Sequence, residues 1–221
     1  MGQINTENRW SLRRQIFDYL REQIEQGTLT PGSLVNVRSL TEELGISRTP
    51  LREALAQMEV HGLVTIMPQR GVRINVLSYD QLLNIFEILG ALESQALGGV
   101  FERITTRAID AMEALNEQMA RHILEGRNRD YHDANMQLHR VFLDLSSNED
   151  LVQTIRIMKL RLFGFALKCY RDRFKQAIVN EHREFIKLLR AGEKEKAVSF
   201  LKEVHWKFNY PENFIRPDHG E

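Results

Sequence analysis

Two sets of side chains in this sequence have types and spacing that could do chemistry: arginines near one helix start, and histidines spread over the second half of the chain. Arg48 and Arg52 stand at i and i+4 in Ser-Arg-Thr-Pro-Leu-Arg-Glu, with Ser47 before them and Thr49 between. A guanidinium fork can take guanine O6 and N7 together, while hydroxyls and helix N-terminal N–H groups suit phosphate oxygens. Asn135 and His139 are also i and i+4, on one face with His132 and Phe142; His182 lies in Asn-Glu-His-Arg-Glu-Phe and His205 in Lys-Glu-Val-His-Trp. Three imidazoles and an amide oxygen could converge on a divalent ion. Helical histidines are more often hydrogen-bonded core residues, and spacing alone leaves both readings open.

The elements that must aim the arginines are legible around them. Ser47 is a good N-cap and Pro50 falls in the first turn, so a helix should start at Arg48, with Leu51, Leu55 and Met58 on its core face. Val37 to Leu44 reads as a short helix with Asn36 as cap and Gly45 as left-handed stop. Short helix, glycine turn and second helix make a helix-turn-helix. The β-prone runs 63–67 and 72–76, joined by Pro68-Gln-Arg-Gly71, predict a hairpin wing carrying Arg70 at its tip. Upstream, Leu12, Ile16, Leu20 and Ile24, with Phe17 beside them, predict an amphipathic first helix from Trp10 to near Gly27.

Beyond the wing the pattern turns helical. Residues 79–103 are apolar nearly all round, which predicts a helix buried on several sides by its own domain or by a partner chain. Amphipathic helices follow at about 105–126, 129–146, 149–169, 172–191 and 193–208. The fold class expected is therefore mainly α: a winged helix-turn-helix over 1–77, an all-helical antiparallel bundle over 78–210, and a loose tail, with Pro211 and Pro217, over 211–221. Residues 1–8 are polar and expected to be disordered.

Composition narrows the function classes. The 221 residues carry 30 basic and 30 acidic side chains, and residues 1–77 hold nine Arg against eight Asp or Glu, so a nonspecific nucleic-acid coat is disfavoured and contacts must be placed rather than massed. No long apolar run and no leader pattern is present, which predicts a cytoplasmic protein without a membrane partner. Cys169 is the one cysteine; it excludes an intrachain disulfide and a Cys-based zinc motif, and is expected to be a packed or half-exposed thiol.

The segments Leu40-Thr-Glu-Glu-Leu-Gly-Ile-Ser-Arg-Thr-Pro-Leu-Arg-Glu-Ala-Leu, Gly62-Leu-Val and Arg70-Gly71 resemble the winged-helix domain of GntR-family transcriptional regulators. By that resemblance Arg38, Arg48, Thr49 and Arg52 match DNA-contacting positions, with Ser47 at the helix start and Arg70 and Gly71 at the wing tip. The segments Asn135-Met-Gln-Leu-His139, Glu181-His-Arg-Glu-Phe, Leu189-Arg-Ala-Gly192 and Val204-His205 resemble the FCD effector domain of the FadR-type subfamily. In its metal-binding members the matching positions hold a divalent ion, which implies Asn135, His139, His182 and His205 as ligands of a Zn- or Ni-type ion. Many relatives carry an effector-binding Arg four residues before the position of Glu93; here Leu89 stands there, and Arg140 or Arg161 could replace it, or the metal could take the effector's carboxylate, or the effector could be less acidic.

The resemblance implies a transcriptional regulator, a homodimer on double-stranded operator DNA, controlled by a small-molecule effector such as an organic acid. A dedicated metal sensor fits the same residues. A metal-dependent enzyme is a rival from another class, disfavoured because no His-Glu-x-x-His motif is present and catalysis has no use for a winged helix.

Overall fold

The computed structural model describes residues 9–25 and 27–208, with backbone alone at 9–11, 13, 21, 25 and 163–169. The expectations for residues 1–8, the Cys169 thiol and the tail with Pro211 and Pro217 lie outside the described residues. The chain divides into two compact units, one running up to Leu77 and taking in Phe163–Phe165, the other made of the remainder from Ser78.

The first unit runs α1 (Arg9–Glu25), β1 (Leu34–Val35), α2 (Val37–Leu44), α3 (Arg48–Val60), β2 (Val64–Met67) and β3 (Gly71–Ile74). Leu12, Ile16, Phe17, Leu20 and Ile24 of α1 are buried, as are Leu51, Leu55 and Met58 of α3. Each such side chain contributes about 1.5–3 kcal/mol of burial before entropy is counted. Asn36 Oδ1 caps α2, accepting from the N–H groups of Arg38 at 2.8 Å and Ser39 at 3.3 Å, and Gly45 ends it at φ 64°. Ser47 has the extended backbone of an N-cap, but its hydroxyl makes no cap hydrogen bond and is left exposed.

The strands form an antiparallel sheet in the order β1-β3-β2, with Met67 opposite Gly71 and Leu34 opposite Arg73. Two residues carry no periodicity, so β1 was not among the expected elements. Asn75 closes the wing's base: its N–H donates across to Leu63 O at 2.9 Å, its Nδ2 to Gly62 O at 3.0 Å and Val64 O at 3.1 Å, and its Oδ1 accepts from Thr65 Oγ1 at 2.7 Å. Gly71 holds the tip at φ 112°, and a Cβ there would lie 2.5 Å from Val35 O. Gly71→Ala therefore faces both a disfavoured backbone and a backbone clash, and should lower the stability of this unit by about 1–3 kcal/mol, measured as its thermal midpoint.

The second unit is helical: α4 (Tyr79–Val100) with a 3-10 turn to Arg103, α5 (Thr106–Leu124), α6 (Asn128–Leu143), α7 (Glu149–Cys169), α8 (Asp172–Arg190) and α9 (Lys194–Phe200), continued by a π turn over Leu201–His205. Ser78 and Gln81 form a reciprocal capping box that fixes the start of α4. Within the single chain Leu82, Ile85, Leu89 and Leu97 of that helix are fully buried while Ile88 is 41% exposed. At one end of α8 the buried Lys175 donates to Asn128 Oδ1 at 2.5 Å and Asp172 Oδ1 at 3.0 Å, tying α8 to the start of α6. The protein is mainly α with one small sheet, the fold class expected. No helix among the described residues is long and apolar enough to cross a membrane.

Candidate metal centre and DNA-reading surface

Two helices and the π turn bring the distant histidines together. His139 comes from α6, His182 from α8 and His205 from the end of the π turn, and all three are buried. One ring nitrogen from each lies within 4.8 Å of the others, with His139 Nε2 3.3 Å from His182 Nε2. Bonds of about 2.0–2.1 Å at a tetrahedral angle would set ligand nitrogens roughly 3.3–3.4 Å apart, so this pair fits a small divalent ion.

Outer partners fix two of the rings. His139 Nδ1 donates to Glu93 Oε2 at 2.7 Å, and His205 Nδ1 to Glu181 Oε2 at 3.0 Å, which leaves both Nε2 atoms free to present lone pairs. Burial pulls the His139 imidazole down to about 4, so it is neutral near pH 7, and burial drives His182 well below its ordinary value too. Neutral imidazoles are the ligating form. Asn135, one turn before His139, has a buried Oδ1 with no hydrogen-bond partner, a donor atom left over for an ion or ligand. His132 is not part of the cluster; it packs against Tyr131 and Tyr170.

Glu93 is completely buried and meets three partners: its Oε2 accepts from His139 and from Trp206 Nε1 (2.8 Å), and its Oε1 forms an ion pair with Lys159 Nζ at 2.6 Å. Burial works against the Glu93 charge, but the His139 hydrogen bond and the Lys159 ammonium outweigh it and hold the carboxyl well below the usual carboxylate range. Lys159 and Trp206 were not among the expected site residues. Trp206 closes the π turn, its N–H donating five residues back to Leu201 O at 3.0 Å, and its ring lies 5.1 Å from that of His205. Gly90 of α4 gives that turn room, since a Cβ there would lie 3.1 Å from Trp206 Cβ.

Among the positions expected to touch an effector, Leu89 is fully buried one turn before Glu93. Arg140 lies at the surface, paired with Asp144 at 3.3 Å, because it follows inward-facing His139 by one residue and so sits about 100° round the helix. Arg161 is partly buried, its Nε without a hydrogen-bond partner, and burial lowers its pKa. The cation that does reach Glu93 is Lys159.

In the first unit the side chains expected to contact DNA are exposed. Ser47, Arg48, Thr49 and Arg52 are exposed over the start of α3, and Arg70 is exposed in the wing turn beside Gly71. Arg48, Arg52 and Arg70 have no ion-pair partner among the described residues, whereas Arg38 is tied to Glu42 at 2.9 Å.

Comparison with known proteins decides the family. Residues 12–74 match the model described as bacterial regulatory proteins, gntR family, and residues 84–205 match the FCD domain. The chain belongs to the gntR family of bacterial regulatory proteins. It is of the FadR type, a transcriptional regulator with a helix-turn-helix DNA-binding domain and an FCD effector domain. This GntR-type chain is 26% identical to the uncharacterized HTH-type transcriptional regulator YdhC of Bacillus subtilis over 185 residues, 83% of each protein. It is 26% identical to the regulator McbR of Escherichia coli over 186 residues, 84% of each. The solved structure of E. coli McbR/YncC superposes with a TM-score of 0.73 at 21% identity, covering 87% of this chain and 92% of that one, which supports the fold. A GntR regulator from Rhodococcus superposes with a TM-score of 0.70 at 20% identity, over 88% of this chain and 94% of that one.

Proposed function

We propose that this GntR-family regulator binds operator DNA as a homodimer and is controlled by a small-molecule effector taken up beside a divalent ion in the FCD domain. Residues 1–77 would read DNA and 78–210 would bind the effector and the second copy. The observation that carries the metal reading is the orientation of His139 and His205, whose Nδ1 atoms are spent on Glu93 and Glu181 while Nε2 faces the cluster. Asn135 Oδ1 is the oxygen that would complete a four-ligand set with His139, His182 and His205. A Zn- or Ni-type ion bound there would supply an electrophilic centre for an oxygen of the effector.

The chain's own residues then set which effector fits. Leu89 cannot grip a carboxylate, and Arg140 is occupied at the surface, so of the basic residues near Glu93 there remain Lys159, which already pairs with it, and the partly buried Arg161. Homodimerisation accords with the apolar strip left on α4, where Ile88 is 41% exposed and Leu92, one turn on, is half-buried. Two copies would place two recognition helices on one two-fold site, and effector binding that alters their spacing would lower DNA affinity. Coupling of about 1–3 kcal/mol would change occupancy roughly 5- to 150-fold.

Elemental analysis after dialysis without chelator tests the metal reading. Near one ion per chain is expected in the wild type, with loss in His139→Ala; a wild type that takes up no Zn²⁺ or Ni²⁺ even after reloading overturns it.

A further inference from the structure

α5 turns one polar side chain into the core. Ile109, Met112, Asn116 and Met119 follow at spacings of three, four and three, all are buried, and Asn116 is only 3% exposed. Its Nδ2 donates to Val179 O of α8 at 3.0 Å, and its Oδ1 is buried with no hydrogen-bond partner. Leucine at this position would avoid an orphaned acceptor, which costs about 1–3 kcal/mol.

The backbone of α8 says what stands next to that oxygen. A helical carbonyl points along the axis toward the N–H four residues on, so it passes beside the side-chain root of the residue three on. By that geometry Val179 O, which Asn116 Nδ2 reaches, falls on the side of α8 that carries His182, which is fully buried and whose Nδ1 has no hydrogen-bond partner either. His182 Nε2 faces His139 Nε2 across 3.3 Å. When that Nε2 presents its lone pair to an ion, the ring proton must sit on Nδ1, and a buried N–H needs an acceptor. His139 and His205 have theirs in Glu93 and Glu181.

We propose that Asn116 is the positioning residue for His182, its Oδ1 accepting the Nδ1–H through one buried water, and so completing a ring of outer partners with Glu93 and Glu181. This rests on the metal reading above. An amide in place of a carboxylate leaves His182 the least basic of the three donors and sets the centre's affinity below that of an all-carboxylate ring.

Zn²⁺ titration of the full chain against a competing chromophoric chelator, with the melting temperature of each metal-free protein measured alongside, tests the assignment in wild type, Asn116→Leu and Asn116→Asp. Asn116→Leu should bind roughly 10- to 100-fold more weakly. Asn116→Asp keeps an acceptor but cannot donate to Val179 O; it should melt below wild type while binding Zn²⁺ at least as tightly. A purely structural asparagine would make the Asp variant follow the Leu variant in affinity, and that result overturns the assignment, as does wild-type affinity in Asn116→Leu. If Asn116→Leu does not fold, the Asp variant alone carries the comparison. Absence of Zn²⁺ binding in the wild type instead removes the metal reading, and the assignment with it.

Discussion

Lys159→Met should destabilise the helical unit by about 3–5 kcal/mol, read as a lower urea midpoint with an unchanged slope. Methionine fills nearly the same volume, so the loss is one of charge. Glu93 would remain fully buried with its carboxylate facing only the neutral donors His139 and Trp206, and a buried charge without a counterion is among the most costly defects a core can hold. Pairing Lys159→Met with Glu93→Gln should restore most of the stability, because glutamine still offers an acceptor oxygen to His139 and Trp206. A single mutant within 1 kcal/mol of wild type, an order-of-magnitude threshold for a solvated ion pair, would show that water reaches Glu93.

The reasons that some of this site could be read from the sequence, and some not, are physical. The recognition helix announces itself locally: Asn36 and Gly45 bound α2, Ser47 and Pro50 start α3, and these signals act within a few residues. The histidines could be matched to a family pattern, but not their partners. Lys159 stands on the buried stripe Val152, Ile155, Lys159, Leu162, spaced three, four and three, the same rhythm that places Asn116 on α5. A polar residue on an apolar stripe is the available signal, and it says that the side chain is inside without saying whom it meets. Trp206 was hidden for a different reason. Helical periodicity assigns neighbours to faces about 100° apart, and no local pattern foretells that the helix loosens into a π turn over Leu201–His205, at whose end the Trp206 indole reaches Glu93. β1 escaped because its two residues pair with a strand some forty positions away, at Arg73 and Val72, and no local pattern encodes that pairing.

Arg48→Ala and Arg52→Ala should each cost about 1–3 kcal/mol of operator affinity, roughly 5- to 150-fold, and relax sequence preference at the bases they read. Fluorescence anisotropy against an operator selected from a random pool, with a scrambled duplex beside it, separates the two effects. Folding should be spared, since both side chains are exposed and neither has an ion-pair partner among the described residues. Arg38→Ala should behave differently: its guanidinium is held by Glu42 at 2.9 Å, a geometry suited to steadying a phosphate contact, so its loss should weaken binding uniformly across sequences and lower the salt slope by about 1. Unchanged operator affinity in both Arg48→Ala and Arg52→Ala would remove α3 as the reading helix. The expected effects lie toward the upper end of their range because the first 77 residues hold nine arginines against eight acidic residues. With almost no net charge to supply nonspecific attraction, the few free arginines at the start of α3 must carry a larger share of the binding than they would on a strongly basic domain.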